Sequence, residues 1–408
     1  MTAPLRLSVV VASHDRPRAL RRCLIGLHQL AYPQVELVVV ADAAGRAAIA
    51  DLPFAGRVIV LDQAEPNLSR ARNAGAAASG GDGIAFIDDD AVPEPTWAGA
   101  LAEAFADPDM AAATGPVLGR NGISLQWGRM AVDACGRDLR LDGGELPAGA
   151  ALKLHGTNMA IRRAALQAAG GFDAAFGFYL DDTDLALRLW QGGVRTAYLP
   201  GAVVHHSFAA SPRRRADRAP LSLFDIGASS AVFLRKHAPG DLEDMLERLR
   251  RDQADRLQAL RRRGRLTGDG AASLLAGLDD GIAAGRERPF GARAEIAPPV
   301  PFRPVRDAPP PAMAMRAGWT WQAGRLRRDR PGADPFSLFL FEPTPRKHKV
   351  VFTEDGVWEQ RGGLYGPSRR DQPRLQPWWF GSRLAAEVAR VAALRGLAAT
   401  GDDPGRAW

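Results

Sequence analysis

Residues 84–90 read IAFIDDD, an apolar run that passes without a break into three carboxylates. A short, continuous apolar run of this kind is typical of a strand buried on both faces of a parallel sheet. Three consecutive acids repel one another, so we expect a compensating cation where they converge. Side chains alternate along an extended chain, which places Asp88 and Asp90 on one side and Asp89 on the other. Asp88 and Asp90 are therefore predicted to face one divalent ion, and an exposed acidic turn is the alternative.

The residues before this stretch alternate between strand and helix patterns, as expected for a mostly parallel sheet in an α/β fold. Three of the predicted strands end in polar or acidic residues, at 13–15, at Asp42 and at 88–90. Because ligands collect beyond the carboxyl ends of parallel strands, these three ends are predicted to converge on one site. The predicted elements are strands at 5–12, 35–40, 57–61 and 84–87, and helices at 18–30 and 69–79.

The same pattern continues to about residue 210, which we take as the end of a first domain at 1–210. Its glycine-punctuated turns separate short apolar segments, so the later elements are expected to be brief. They are predicted as helices at 93–106, 162–169 and 184–191, and as strands at 110–118, 156–161, 194–199 and 202–206.

The rest of the chain is divided into a helical extension at 211–297, a proline-rich linker at 298–312 and a small α/β accessory region at 313–408. The extension contains an amphipathic helix at 241–262. In the accessory region we predict strands at 336–341 and 349–352 and a helix at 384–399. Its tryptophans are predicted to form a small core, and a sugar-facing or membrane-facing surface is the alternative. These residues are Trp319, Trp321, Trp358, Trp378 and Trp379.

The composition is that of a globular protein, since 46% of the 408 residues are apolar and 24% are charged. Its apolar runs fall short of the roughly 18 to 20 residues that cross a bilayer, and the first residues lack the order of a signal peptide. We therefore expect a cytoplasmic protein, with peripheral contact at the inner face of the membrane. Because the only cysteines are Cys23 and Cys135, a disulfide framework and a cysteine zinc site are excluded.

The net charge of +7 is unevenly distributed, with arginine-rich clusters at 213–215, 261–263 and 325–330. Such clusters suit anionic partners, for example phospholipid head groups or a lipid-diphosphate acceptor. Solvated helix faces are the simpler interpretation of any one cluster. The clusters lack interleaved aromatic residues, so we expect no nucleic-acid partner.

Three further groups of polar residues are candidates for a site. In the predicted helix at 69–79, Arg70 and Asn73 lie on one face and are predicted to point to a ligand, although a surface helix would show the same pattern. The acidic segment at 181–184 precedes an apolar helix, where it either caps the first turn or supplies a general base. His205 and His206 end the last strand of the first domain. One of them is predicted to ligate a metal, although a histidine at a strand end is more commonly structural.

Taken together, these segments resemble glycosyltransferase family 2, an inverting family with the GT-A fold. The resemblance covers residues 5 to about 210 and implies a Rossmann-like sheet, a Mg²⁺ or Mn²⁺ ion, and a nucleotide-sugar donor of the UDP-, GDP- or dTDP-sugar type. It also implies transfer to a saccharide or a lipid-linked glycan, as in the synthesis of bacterial-type surface polysaccharides. The matching segments are 9–16, 67–75, 86–90, 156–159, 171–173 and 181–189.

The resemblance assigns chemical roles to individual residues. The general base of the family corresponds to Asp182, and its metal-binding acids correspond to Asp88 and Asp90. His205 and His206 fall where the surroundings of the metal are usually built. We therefore expect these five residues to carry the reaction.

Substrate contacts follow from the same resemblance, because the turn after the first strand and the acid that ends the second strand match the nucleotide-binding positions of the family. The acceptor is expected to contact Asn158, Asp173 and Asp181. The expected donor contacts are Ser13, His14, Asp15, Arg16, Asp42, Arg70, Asn73 and Asp89.

The chain departs from the family pattern at two places. The second strand usually ends in two acids followed by Gly-Ser, whereas residues 41–45 read ADAAG. This difference concerns recognition of the nucleotide base. The later acidic pair is usually Glu-Asp and here is Asp181-Asp182, so the shorter first acid is expected to alter contacts with the acceptor.

Two other functions share these features. A nucleotidyltransferase needs a related sheet and a metal, but the glycine-rich, basic loop expected after its first strand is replaced by Ala12-Ser13-His14-Asp15. A non-catalytic protein that binds nucleotides or glycans would not need Asp182 beside an acidic metal triplet. A glycosyltransferase accounts for both groups of acids and is the preferred interpretation.

Overall fold

The computed structural model describes residues 4–63, 65–141, 143–207, 215, 217, 219–238, 240–330 and 335–397. Predicted positions outside these ranges include Arg213, Arg214 and the boundary near residue 210. The strands are β1 (Leu7–Ser13), β2 (Val35–Ala41), β3 (Ile59–Asp62), β4 (Gly83–Asp88), β5 (Ala91–Pro93), β6 (Met110–Thr114), β7 (Val117–Leu118), β8 (Leu125–Trp127), β9 (Met130–Asp133), β10 (Asp138–Arg140), β11 (Ala150–Leu152), β12 (Met159–Arg162), β13 (Arg195–Tyr198), β14 (Val204–His206), β15 (Ala314–Trp319), β16 (Phe336–Glu342), β17 (Lys349–Phe352) and β18 (Val357–Gly363).

Helices cover both faces of the largest sheet and form most of the segment between residues 224 and 287. The helices are α1 (Pro17–His28), α2 (Ala43–Ile49), α3 (Leu68–Ala77), α4 (Trp97–Ala104), α5 (Arg163–Ala169), α6 (Asp181–Gln191), α7 (Phe224–His237), α8 (Leu242–Arg262), α9 (Gly268–Glu287), α10 (Ala323–Arg328) and α11 (Phe380–Arg395).

The largest sheet has the strand order β13-β6-β12-β4-β1-β2-β3 and is parallel except for β12, which runs antiparallel to both neighbours. Val9 and Val11 of β1 face a core formed with α1, whereas Val10 faces a second core formed with α3, α5 and α6. This two-sided burial explains why the strand is a continuous apolar run. The predicted α/β fold, a mostly parallel sheet flanked by helices, is confirmed.

A second sheet, with the order β5-β14-β7-β8, lies beside the site. The predicted single strand at 110–118 is wrong, because it splits into β6 and β7, which belong to different sheets. The break is at Gly115, where a Cβ atom would lie 2.1 Å from the carbonyl oxygen of Ala202. The predicted helix at 93–106 also begins too early, since Pro93 still belongs to β5 and α4 starts at Trp97.

The helical extension contains the amphipathic helix that was predicted, here α8, together with α7 and α9, which the sequence analysis missed. α7 packs closely on α9, and a Cβ atom at Gly281 would lie 2.1 Å from the carbonyl oxygen of Phe224. α7 has a weak amphipathic pattern because its residues 227–234 are all buried, whereas α9 buries one face and exposes the other. By contrast, α8 buries only Leu246 and Leu257 and keeps its arginines exposed.

Residues 298–312 form no helix or strand, as expected for a proline-rich segment. They are nevertheless hydrogen-bonded to β2. The backbone N–H of Arg303 donates to Glu36 Oε1 at 2.8 Å, and that of Val305 donates to the carbonyl oxygen of Val35 at 2.8 Å. Glu36 is itself fully buried and also accepts from Ser8 Oγ at 2.6 Å. The segment is therefore attached to the edge of the largest sheet.

The accessory region contains a four-stranded sheet with the order β15-β16-β18-β17, covered by α11. Trp358 lies in its core and is 1% exposed, as predicted. The core prediction is wrong for Trp321 and Trp379, which are 67% and 86% exposed. Within the described part of the chain, no helix combines the length and apolarity required to cross a bilayer.

Candidate active site

An open pocket of about 420 Å³ lies beyond the carboxyl ends of β1 and β4, where the sequence placed the site. It brings together the turn after β1, the acidic end of β4, the first turn of α6 and the end of β14. The lining side chains include Ser13, His14, Arg16, Arg72, Asp88, Asp89, Asp90, Trp127, Lys153, Tyr179, Asp181, Asp182 and His206.

Asp88, Asp90 and His206 form a candidate metal centre. Each offers a ligand atom, and these atoms lie within 4.8 Å of one another. His206 Nε2 is 2.9 Å from Asp90 Oδ1, and both residues are buried, whereas the side chain of Asp88 is 32% exposed. Two carboxylates and an imidazole within this distance can ligate one divalent cation. Asp88 and Asp90 thus lie together with His206, and ligation of a cation by them stays a prediction.

Asp89 points to the other side and is held by the turn after β1. Its carboxylate accepts from Ser13 Oγ at 2.8 Å and from Arg16 Nη1 at 2.8 Å. Burial raises the pKa of Asp89, and the nearby Arg16 opposes this shift by favouring the charged form. Asp89 therefore fixes Ser13 and Arg16 at the mouth of the pocket.

Asp181 and Asp182 stand at the opposite wall, in the first turn of α6. The two residues before them, Tyr179 and Leu180, have positive φ angles of 78° and 64°, a strained conformation that turns the helix start toward the pocket. Asp182 Oδ2 accepts from the backbone N–H of Gly156 at 2.7 Å, and its Oδ1 accepts from that of Thr183 at 2.7 Å. Both carboxylates line the pocket, as predicted.

Arg72 contacts both acidic groups of the pocket, through Asp88 and Asp181. The sequence analysis did not predict it. Its guanidinium is buried, pairs with Asp181, and donates to Asp88 Oδ1 at 3.2 Å and to the carbonyl oxygen of Gly156 at 2.8 Å. Burial raises the pKa of Asp181, although Arg72 favours its ionised form. The missed signal was periodicity, because Arg72 shares the buried face of α3 with Ser69.

Two predicted donor contacts on α3 are corrected. Arg70 is exposed and pairs with Glu65 at 2.9 Å, so it does not line the pocket. Asn73 bonds to the backbone of Phe172, donating to its carbonyl oxygen at 2.7 Å and accepting from its N–H at 2.8 Å. Their three-residue spacing places Arg70 and Asn73 on one face of α3, but that face contacts the loop around Phe172 and solvent.

Two predicted acceptor contacts are also corrected. Asn158 is fully buried, accepts from Trp97 Nε1 at 2.8 Å and donates to the carbonyl oxygen of Ala202 at 2.8 Å. Asp173 is buried against Lys236, with Nζ at 2.8 Å, and accepts from the N–H of Gly291 at 2.6 Å. Neither side chain reaches the pocket, and each instead fixes the contact between distant segments.

His205 does not join the metal cluster, which corrects its prediction as a ligand. Neighbours on a strand point to opposite faces, so His206 faces the pocket and His205 faces away. His205 Nε2 lies 2.8 Å from Glu94 Oε1, beneath the pocket.

The turn after β1 depends on Asp42. Asp42 Oδ2 accepts from the N–H of Asp15 at 2.7 Å, and its Oδ1 caps α2 through the N–H of Gly45 at 2.7 Å. Asp15 has a positive φ of 57° and is exposed. Ser13, His14 and Arg16 line the pocket, whereas Asp15 and Asp42 lie beside it. His14, Asp15 and Asp42 also have possible ligand atoms within 4.8 Å of one another.

The wall beyond α6 contains residues that no sequence motif indicated. Trp127 lies beside two imidazoles, with ring centroids 5.7 Å from both His155 and His206. Lys153 pairs with Asp138 near the exposed ring of Tyr179. These residues come from β8, β10 and loops whose sequences carry only weak strand patterns. Their meeting is set by tertiary packing.

Comparison with known proteins adds independent information. A family model described as "Glycosyltransferase like family 2" matches residues 4–219, just over half of the chain. The match includes both acidic groups of the pocket and ends before α7 begins at Phe224.

Two curated relatives come from Mycobacterium tuberculosis. An N-acetylglucosaminyl-diphospho-decaprenol L-rhamnosyltransferase is 35% identical over 125 residues, which are 29% of this chain and 40% of the relative. A pre-mycofactocin glycosyltransferase is 28% identical over 210 residues, which are 49% of this chain and 42% of the relative. The chain thus spans about two fifths of the length of these relatives.

Solved structures are more distantly similar. The mannosyltransferase PcManGT from Pyrobaculum calidifontis, in complex with GDP-Man and Mn²⁺, is 17% identical with a TM-score of 0.42. The alignment covers 70% of this chain and 88% of that chain.

Proposed function

The chain belongs to the glycosyltransferase-like family 2, and from this membership we propose that it is an inverting glycosyltransferase that moves a sugar from a nucleotide-diphosphate donor to an acceptor hydroxyl. The observation that carries the proposal is the convergence of two acidic groups, Asp88–Asp90 and Asp181–Asp182, on one pocket. They are about ninety residues apart in sequence, and Arg72 contacts both of them.

The donor set fits a divalent cation, Mg²⁺ or Mn²⁺, held by Asp88, Asp90 and His206. The imidazole favours Mn²⁺, because Mg²⁺ prefers oxygen ligands and an octahedral, partly hydrated shell. Such a cation, when bound, would neutralise negative charge on the departing nucleoside diphosphate. The ligand atoms are already close in the protein, so little rearrangement is required.

Asp182 is the proposed general base. Its carboxylate is fixed by the N–H groups of Gly156 and Thr183, which leaves lone pairs free to accept a proton from the acceptor hydroxyl. As it loses this proton, the acceptor oxygen attacks the anomeric carbon from the face opposite the diphosphate, the bond to the diphosphate breaks, and the configuration inverts. Arg72 holds Asp181 in place beside it and limits the repulsion between the two acids.

The donor is proposed to contact the turn after β1. Ser13, His14 and Arg16 line the pocket there, and Asp89 orients two of them. Asp42 acts through the turn by holding the N–H of Asp15. UDP-, GDP- and dTDP-sugars are the donors to be tested.

The acceptor is proposed to enter past Trp127, Lys153 and Tyr179, since Asn158 and Asp173 are buried elsewhere. An indole face suits the C–H face of a sugar ring, and a lysine suits a phosphate or hydroxyl group. A saccharide or a lipid-linked glycan fits this wall. The name of one relative, a diphospho-decaprenol rhamnosyltransferase, supports a lipid-linked acceptor.

The accessory region is proposed to contact an anionic membrane surface from the cytoplasmic side. Residues 313–397 contain 15 Lys and Arg against 8 Asp and Glu, so their net charge equals the +7 of the whole chain. Trp319 stacks on Trp321 with centroids 5.1 Å apart and lies 5.1 Å from Phe380, next to the exposed Trp379. Exposed tryptophans beside arginines are typical of the lipid head-group region.

Product analysis tests the proposed reaction. The protein is incubated with UDP-, GDP- and dTDP-sugars and Mn²⁺, and the released nucleotide is identified by chromatography. Release of a nucleoside diphosphate, lost in Asp182→Asn, is the expected result. A parallel incubation with nucleoside triphosphates and a sugar 1-phosphate tests the alternative, since release of pyrophosphate there would indicate a nucleotidyltransferase. Donor binding without turnover would indicate a non-catalytic assembly protein.

A further inference from the structure

A buried ion pair connects the accessory region to the strands behind the candidate metal centre. Arg395, in the last turn of α11, donates to Glu94 through Nε at 2.9 Å and through Nη2 at 3.2 Å. Glu94 directly follows β5 and is 1% exposed, and Arg395 is 3% exposed. The same end of α11 accepts a backbone hydrogen bond from Thr96 through the carbonyl oxygen of Leu394 at 3.1 Å. The end of α11 is thus bound to the first domain by both its backbone and its side chains.

Glu94 Oε1 also lies 2.8 Å from Nε2 of His205 in β14. One carboxylate therefore joins the segment after β5, β14 and α11. Trp358 covers this group, with Arg395 4.7 Å from the ring centroid and the His205 ring 4.8 Å from it. Burial opposes ionisation of Glu94, but Arg395 and His205 outweigh this effect and lower its pKa to about 2. Glu94 is therefore a fixed negative charge at neutral pH.

The group lies directly behind the metal centre. β14 pairs with β5 so that His206 faces Ala91 and His205 faces Val92. Because adjacent strand residues point to opposite faces, the contact that holds His205 from behind also sets the position of His206 in front. Ser207 continues this anchoring by donating through Oγ to the carbonyl oxygen of Asp90 at 2.6 Å.

A buried ion pair is a poor way to gain stability, since apolar residues of the same volume usually do as well. Its contribution is geometric, because a bidentate arginine fixes both distance and direction. Groups that orient metal ligands from behind also affect metal affinity strongly.

We propose that Arg395 is a positioning residue for the metal centre, acting through Glu94 and His205 on β14, so that residues 313–397 complete the site of the first domain. The proposal rests on the proposed function in one respect, namely that Asp88, Asp90 and His206 bind a divalent cation.

The test compares Arg395→Met with Arg390→Met on the same helix. Arg390 pairs with Glu387 at 3.0 Å and with Gln360, both within the accessory region, so its loss removes an ion pair of α11 without touching Glu94. Free Mn²⁺ is measured by electron paramagnetic resonance in the presence of UDP. The histidine ring nitrogens are followed by NMR without metal, with the His206 signals assigned from His206→Asn.

Arg395→Met is expected to weaken Mn²⁺ binding by about 10-fold to 100-fold and to shift the ring signals of His206. Arg390→Met is expected to leave the Mn²⁺ affinity within twofold of the wild type and the ring signals of His206 unshifted. If Arg395→Met unfolds, the double variant Glu94→Gln/Arg395→Met removes both charges, and it should fold yet bind Mn²⁺ more weakly.

A folded Arg395 variant with wild-type Mn²⁺ affinity and unchanged His206 signals would overturn the proposal. If the wild type itself binds no Mn²⁺, the proposed metal dependence fails instead. In that case the His206 signals of the metal-free proteins still decide whether Arg395 positions the strand.

Discussion

The first turn of α6 contains Asp182, which faces the pocket, and Asp184, which faces a buried cluster on the other side of the helix. The two surroundings differ in their balance of acidic and basic residues. On the pocket side, apart from the Lys153–Asp138 pair, five carboxylates face two arginines, whereas on the opposite side two carboxylates are surrounded by three basic residues. The difference teaches that excess negative charge marks the site that needs an added cation, and that balanced charge marks a structural contact. The pocket set is Asp88, Asp89, Asp90, Asp181, Asp182, Arg16 and Arg72, and the structural set is Asp173, Asp184, Arg188, Lys236 and His237.

The largest expected effect separates Asp182 from Asp184, two residues away. Asp182→Asn should lower the rate of sugar transfer by about 10²-fold to 10⁴-fold, because the amide cannot accept the proton of the acceptor. Its folding stability should change much less, since Asp182 is only half-buried and the amide oxygen keeps one of the two backbone hydrogen bonds. Steady-state kinetics and thermal unfolding of the same preparation check both statements. Near-normal turnover would remove Asp182 as the base.

Asp184→Asn should do the reverse and cost about 3 to 5 kcal/mol of stability, because it removes the buried carboxylate that Arg188 and Lys236 share and leaves Lys236 with Asp173 alone. Asp184 is fully buried and lies 2.8 Å from both Lys236 Nζ and His237 Nε2. Burial opposes its ionisation, but these partners outweigh it and lower the pKa of Asp184. Its stabilising contribution is therefore complete above the unfolded pKa of 3.8 and is lost as the pH falls below it.

Urea unfolding at several pH values measures this contribution. The stability difference between the wild type and Asp184→Asn should be largest near neutral pH and shrink below pH 4. A variant as stable as the wild type at pH 7 would contradict the structural role of this cluster.

A buried histidine in the accessory region should make the stability of that region sensitive to acid. His348 is 3% exposed, its Nε2 lies 2.9 Å from the carbonyl oxygen of Gly363, and Arg383 is close by. Burial lowers the pKa of His348 to about 4 from 6.5. The unfolded chain takes up the proton first, so stability is complete above pH 6.5 and falls by about 3 kcal/mol down to pH 4.

The matched variant His348→Gln keeps a polar side chain but cannot titrate. Its stability should fall less than that of the wild type between pH 6.5 and 4, while the titration of His28, whose pKa is also lowered to about 4, affects both proteins equally. Parallel stability curves for the two proteins would show that His348 is not the responsible group.

The smallest expected effect concerns the exposed tryptophans. Trp321→Ala/Trp379→Ala should weaken binding to vesicles that contain anionic phospholipids by about tenfold, because apolar contact with the head-group region is lost. Trp190→Ala is the control, since Trp190 is 41% exposed on α6, outside the accessory region. Vesicle co-sedimentation at low salt measures both. Equal binding of all three proteins would exclude this surface as the membrane contact.

The sequence predicted most of the main sheet because its strands are continuous apolar runs that end in polar residues. It also predicted Asp88 and Asp90 at the pocket, since carboxyl ends of parallel strands meet at one edge, whereas Asp181 and Asp182 were assigned to the same site by the resemblance to the family. It could not separate His205 from His206, because strand phase depends on the pairing of β14 with β5.

The misses have physical causes as well. The sequence analysis preferred Arg70 to Arg72 on α3, although the spacing from Ser69, Gly75 and Ala76 places Arg72 on the buried face. Asn158 and Asp173 match family positions, yet their side chains are used to join segments that only tertiary structure brings together. The wall around Trp127 comes from short strands whose sequences carry little periodicity.

The central claim, that the excess acids of the pocket hold one divalent cation, is tested most directly by a crystal structure with UDP and Mn²⁺. Anomalous scattering locates manganese without reference to the protein model. We predict one strong peak among Asp88, Asp90 and His206, in contact with the diphosphate, and its loss in Asp90→Asn. A peak at His14, Asp15 and Asp42 instead, or UDP bound in the pocket without manganese, would contradict the account.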